Sequence, residues 1–190
     1  MDASLVIAVT RSWIDELVIG LNLCPFARRV VDADRIRYVV SDASHQQELL
    51  RVLGAELETL AAAPIESIET TLLIHPNALQ DFLDYNDFLG AADRLLAQLD
   101  LRGVIQIASF HPRYRFADAD PEAAENYTNR SPYPMLHLLR EESVSAVAGD
   151  ADELLAIPQR NIEALRAIGA EKLREKFAAI AKCGASANAK

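Results

Sequence analysis

Three short apolar runs, Ile36–Val40, 68–74 and 104–110, alternate with two segments whose apolar residues recur at helical spacing. This alternation constrains the fold more than any other feature of the chain. Between the first two runs, Ser44 and Gln47 stand in capping-box spacing before a stripe through Leu49, Leu50, Leu53, Leu57 and Leu60. Between the second and third, Asn77 is placed to cap a helix whose stripe passes through Phe82, Tyr85, Phe88, Leu89, Ala92, Leu95, Leu96 and Leu99. Strands joined through helices of this length read as parallel crossovers. The expected fold is therefore α/β, with a small, mostly parallel sheet of three or four strands packed by helices. A ferredoxin-like α/β sandwich is the alternative.

Helical periodicity also covers residues 3–22, where Leu5, Val6, Val9, Trp13, Leu17, Val18 and Leu21 share a face until Pro25 breaks the pattern. After the third strand, residues 111–134 carry no long periodic segment but many Pro, Asn, Asp and aromatic residues. That is long for a mere connection, and such loops often carry function. Residues 135–147 read as helix again, Pro158 opens another that Gly169 closes, and residues 171–182 form the last. With 190 residues and no linker or repeat, the chain is expected to be one domain over residues 1–182, with a flexible tail at 183–190.

Charge and composition exclude several function classes. A net charge of −9 opposes non-specific binding to nucleic acid and to anionic membrane surfaces. The N-terminus lacks a basic, apolar signal sequence, and no apolar run is long enough to span a bilayer. The two cysteines, Cys24 and Cys183, are far apart and form neither a disulfide framework nor a zinc knuckle, which fits a reducing cytoplasm. Lysine occurs only at Lys172, Lys176, Lys182 and Lys190, so every earlier cation is an arginine; codon bias accounts for this without invoking function.

The residues that could carry chemistry gather at strand ends and in the long loop. His75-Pro76 follows the second strand and His111-Pro112 the third. In an open parallel sheet, ligands bind at those carboxyl ends, so both imidazoles could serve one site. Cys24, ahead of Pro25, could act as a nucleophile only with a nearby histidine, arginine or metal, since a helix C-terminus disfavours thiolate; buried filler is the competing role. Cys24, His75 and His111 would also make an N/S ligand set for zinc, although they lack short ligand spacing, and no particular cofactor is implied.

In the segment His111-Pro112-Arg113-Tyr114-Arg115-Phe116, alternation would put Arg113 and Arg115 on one face, suited to a carboxylate or phosphate. Residues 125–134 concentrate Asn126, Arg130 and Tyr133 just before a predicted helix, where anions often bind. On that helix His137 and Glu141 would face the same way. The acids of Asp84-Tyr85-Asn86-Asp87 read as the solvent face of their helix and are left out of the site.

Taken in order, Asn22-Leu23-Cys24-Pro25-Phe26, Glu69-Thr70-Thr71-Leu72-Leu73, Asp84 to Leu89, Ser109-Phe110-His111-Pro112 and residues 125–134 resemble the bacterial family called domain of unknown function 1415. The resemblance extends over residues 13–168. It implies a bacterial, soluble, stand-alone protein and carries no substrate, cofactor or catalytic assignment onto these positions.

The reading that follows is a small-molecule enzyme acting on an anionic substrate. Cys24, His111 and His75 would be the catalytic groups, and Arg113, Asn126, Arg130, Tyr133 and His137 the substrate contacts. A non-catalytic binder of an anionic metabolite or metal, and a protein-interaction module using the Tyr- and Pro-rich loop, are the alternatives.

Overall fold

The computed structural model describes residues 1–147 and 151–187. Its order is α1 (Ala3–Trp13), a π-helical turn (Ile14–Ile19), α2 (Ala27–Asp32), β1 (Ile36–Val40), α3 (Gln46–Ala62), β2 (Thr70–Ile74), α4 (Phe82–Gln98) and β3 (Ile105–Phe110). A 3-10 turn (Ala124–Thr128), β4 (Met135–Arg140), α5 (Glu141–Val147), α6 (Ala151–Ile168) and α7 (Ala170–Ala187) follow.

The α/β class holds, but the sheet is mixed rather than mostly parallel. Its order is β1-β2-β4-β3: β1 and β2 run parallel, while β4 lies antiparallel to β2 on one side and to β3 on the other. The fourth strand occupies residues where helical spacing predicts a helix. Met-Leu-His-Leu-Leu-Arg has apolar residues on both faces, as a central strand needs, and so short a run cannot be told from a buried helix by periodicity. Insertion of β4 also keeps β2 and β3 parallel to one another, two positions apart.

Alternation along the strands separates two cores. Leu72, Ile74, Met135, Ile36 and Phe110 pack against α1, α6 and α7. Leu73, Leu136, Leu138 and Ile105 pack against α3 and α4. Helices on both faces distinguish the arrangement from the two-layer ferredoxin-like sandwich.

Several ends differ from expectation for local reasons. The capping-box return at α3 comes from Glu48, which accepts from the Ser44 amide, rather than from Gln47. Asp81, not Asn77, caps α4 by accepting from the amides of Leu83 and Asp84. Pro158 lies inside α6, while Gly169, at φ +87°, closes it as expected. Helix α7 continues past Lys182 to Ala187, and residues 188–190 of the expected tail lie outside the described residues. Arg140, buried at the end of β4, donates to the carbonyls of Leu60 and Ala63 at the end of α3 and to that of Ile68. There its charge meets the negative end of a helix.

The helix expected over residues 3–22 forms, but its last turns are π-helical: the Gly20 amide donates to Asp15 and the Leu23 amide to Val18. Gly20 is required by close approach, because a Cβ there would sit 2.3 Å from the Glu16 carbonyl oxygen. We expect Gly20→Ala to destabilise the fold by about 1–3 kcal/mol, the usual cost of overpacking, in urea denaturation. A neutral effect would show that the π turn relaxes freely to an α-helix.

Candidate functional site

The two faces of the sheet contain very different polar chemistry. On the α4 face, at the carboxyl ends of β2 and β3, His75 and His111 come together around Tyr85 as the parallel relation of their strands predicts. Tyr85 is stacked 5.9 Å from the His75 ring and lies 5.1 Å from that of His111. Its hydroxyl donates to the Met135 carbonyl and accepts from the Phe110 amide, tying β4 to β3. Both imidazoles serve the backbone. His75 Nδ1 donates to Ala78. His111 Nε2 donates to the carbonyl of Leu79, itself at φ 57°, and His111 Nδ1 accepts from the Arg113 amide. His75 Nε2 is buried and has no partner among the described residues.

Burial without a compensating anion pushes the His75 pKa down to about 4, and desolvation also lowers that of His111. Among the expected anion contacts, Arg113 donates to the Gln80 carbonyl and lies 3.5 Å from the Asp81 carboxylate.

The long loop is stitched to itself. The fully buried Asn126 accepts from the Phe116 amide and donates to the carbonyls of Asp120 and Pro121. Arg130 donates to the Tyr114 and Pro121 carbonyls, and its guanidinium covers the Tyr127 ring. Tyr133 packs on the α1-face core. Asn126 and Arg130, expected as substrate contacts, thus satisfy the loop's own backbone.

On the opposite face a cavity of about 440 Å³ opens between the sheet, the π turn, α2, α5 and the middle of α6. Trp13, Ile14, Val18, Leu72, Phe110 and Phe116 supply much of its apolar wall, and Cys24 and His137 join the lining. Cys24 is therefore separated by the sheet from His75 and His111. Among the described residues, no three His, Cys, Asp or Glu side chains are grouped to hold a metal. The Cys24 thiol is raised in pKa by burial, which outweighs the amides of Phe26 and Ala27 directed at it. Burial likewise lowers His137 to about 4, so both groups are neutral at pH 7. Because residue 137 is in a strand, it is not paired with Glu141 across a helix turn.

Sequence reasoning missed the polar residues that complete this wall. Thr70 Oγ1 lies 2.7 Å from His137 Nε2. Glu69, buried at the strand's start, makes a two-pronged pair with Arg29 and lies 3.6 Å from Arg35. Ser143 Oγ is buried without a partner among the described residues. The one available signal was Glu69-Thr70-Thr71, three polar residues opening an otherwise apolar strand.

A mixed four-stranded sheet with an apolar, His- and Cys-bearing cavity on one face defines an α/β protein with a small-molecule-sized hollow. The chain belongs to the family described as protein of unknown function (DUF1415), whose model matches residues 5–175. No match to the chain was found among curated proteins or among solved structures. No helix of the described residues is long and apolar enough to cross a membrane.

His75 yields a pH prediction. Its folded pKa lies below the unfolded value of about 6.5, so the unfolded chain binds the extra proton first. The stability conferred by keeping it neutral is complete above pH 6.5 and is lost progressively as pH falls toward 4, by about 3 kcal/mol. Urea denaturation from pH 8 to 4.5 should show a shallower acid loss for His75→Phe than for the parent chain. Parallel curves would remove His75 from this account.

Proposed function

We propose that this protein binds a small, largely apolar, uncharged molecule in the cavity on the α1 face of the sheet. The observation that carries this reading is the cavity itself. Its volume of about 440 Å³ lies within the range of small-molecule sites, and it joins an apolar wall to a few polar groups, as such sites do.

The state of those groups favours binding over the Cys/His chemistry that the sequence suggests. A protonated Cys24 is a poor nucleophile, and neutral His137 with its pKa near 4 is a weak base at pH 7. The anionic substrate expected from Arg113 and Arg130 also loses support, because both guanidinium groups are engaged by the protein's own backbone. At the cavity, the Arg29 fork is occupied by Glu69, so that charge is already matched.

The test uses an uncharged, environment-sensitive dye, Nile red. It should bind saturably at one site, with blue-shifted emission and quenching of Trp13, the chain's single tryptophan, which lines the cavity. Filling the space with Val18→Trp should weaken binding by at least about tenfold, roughly 1.4 kcal/mol, while circular dichroism stays native; Ser143→Leu provides an independent filling change. Unaltered binding in both folded variants would place the dye elsewhere and overturn the proposal.

A further inference from the structure

Building on the cavity as the ligand site, we infer that it selects neutral molecules that donate a hydrogen bond to Nδ1 of His137. The ligand class is an apolar body bearing a phenol-type hydroxyl or an N–H group. Three atoms carry the inference. Thr70 Oγ1 lies 2.6 Å from the Leu138 carbonyl oxygen and 2.7 Å from His137 Nε2. A carbonyl cannot donate, so the single hydroxyl proton of Thr70 goes to Leu138. The oxygen of Thr70 then faces Nε2 with a lone pair, and Nε2 must carry the hydrogen that joins them. In a neutral imidazole this leaves Nδ1 as a bare acceptor.

The surroundings keep that arrangement fixed. Thr70 and Leu138 belong to the paired central strands β2 and β4, so the tautomer is set by the most constrained part of the sheet. His137 Nδ1 has no hydrogen-bond partner among the described residues, although His137 lines the cavity. Glu69, the acid in the same wall, is held by Arg29 and lies beside Arg35, and is thus already matched by cations. Burial of the imidazole with no anion of its own opposes protonation.

A bare acceptor in an apolar wall discriminates strongly. A ligand that donates satisfies it, one without a donor leaves a desolvated lone pair, and a carboxylate sets negative charge against that lone pair. Thr70 is therefore a positioning residue acting through His137.

Three naphthalenes of similar size test the inference: 1-naphthol, 1-methoxynaphthalene and 1-naphthoate, with affinities measured by ligand-observed NMR titration at pH 7. Naphthol should bind at least about tenfold more tightly than the ether, and naphthoate most weakly. In His137→Phe the preference for naphthol over the ether should fall below about threefold. Thr70→Val, the milder change, frees the tautomer and should reduce the same ratio. Equal affinity of the parent chain for naphthol and ether would overturn the donor requirement and leave the cavity reading intact. Tightest binding of naphthoate would overturn neutrality. If none of the three binds, the cavity reading fails together with this one.

Discussion

The position of β4 is the constraint on which the rest depends. It is a late segment inserted between β2 and β3, and its side chains Met135, Leu136 and Leu138 are fully buried. One tyrosine secures the insertion, because the Tyr85 hydroxyl joins the Met135 carbonyl to the Phe110 amide where β4 meets β3. At the other end of the strand, Arg140 gathers the carbonyls that close α3. These polar contacts set the register, and a shift by one residue would turn His137 onto the α3 and α4 face and Leu138 into the cavity.

The two faces then diverge through what their polar groups can reach. On the α4 side, His111 has both nitrogens matched to backbone, and His75 has one matched and one sealed from solvent. Those imidazoles stabilise a turn and a loop. On the α1 side, the π turn and short α2 leave space that their side chains do not fill, and polar atoms of the wall retain unused valences. Dense packing ordinarily removes such space. A hollow of this size in a well-packed α/β fold is the feature a binding role explains.

How much of this was legible in the sequence varies with the kind of signal. The first three strands, the helices between them and the meeting of His75 with His111 followed from periodicity and from strands sharing a direction. The fourth strand did not, since 135–140 is apolar on both faces and lacks the alternation of a half-buried strand. That one difference converted a mostly parallel sheet into a mixed one and moved His137 from a supposed helix surface into a cavity. Asn126 and Arg130 show a second limit: polar residues in a Pro-rich loop look the same in sequence whether they hold a ligand or the loop's own carbonyls. Thr70 was hidden for a third reason, because a threonine in a strand is ordinary until its partners across the sheet are known.

The central claim is that the α1-face cavity, rather than the histidine cluster at the strand ends, is where a small molecule binds. Methyl NMR of a sample labelled at Ile, Leu and Val, titrated with uncharged 1-naphthol, tests it most directly. The account predicts shift changes confined to the Ile, Leu and Val methyls that line the cavity, among them Ile14, Val18, Ile36, Leu72, Leu139 and Ile157. Changes centred on Leu79 and Leu83 beside His111 and α4, or no localised change at saturating ligand, would contradict it.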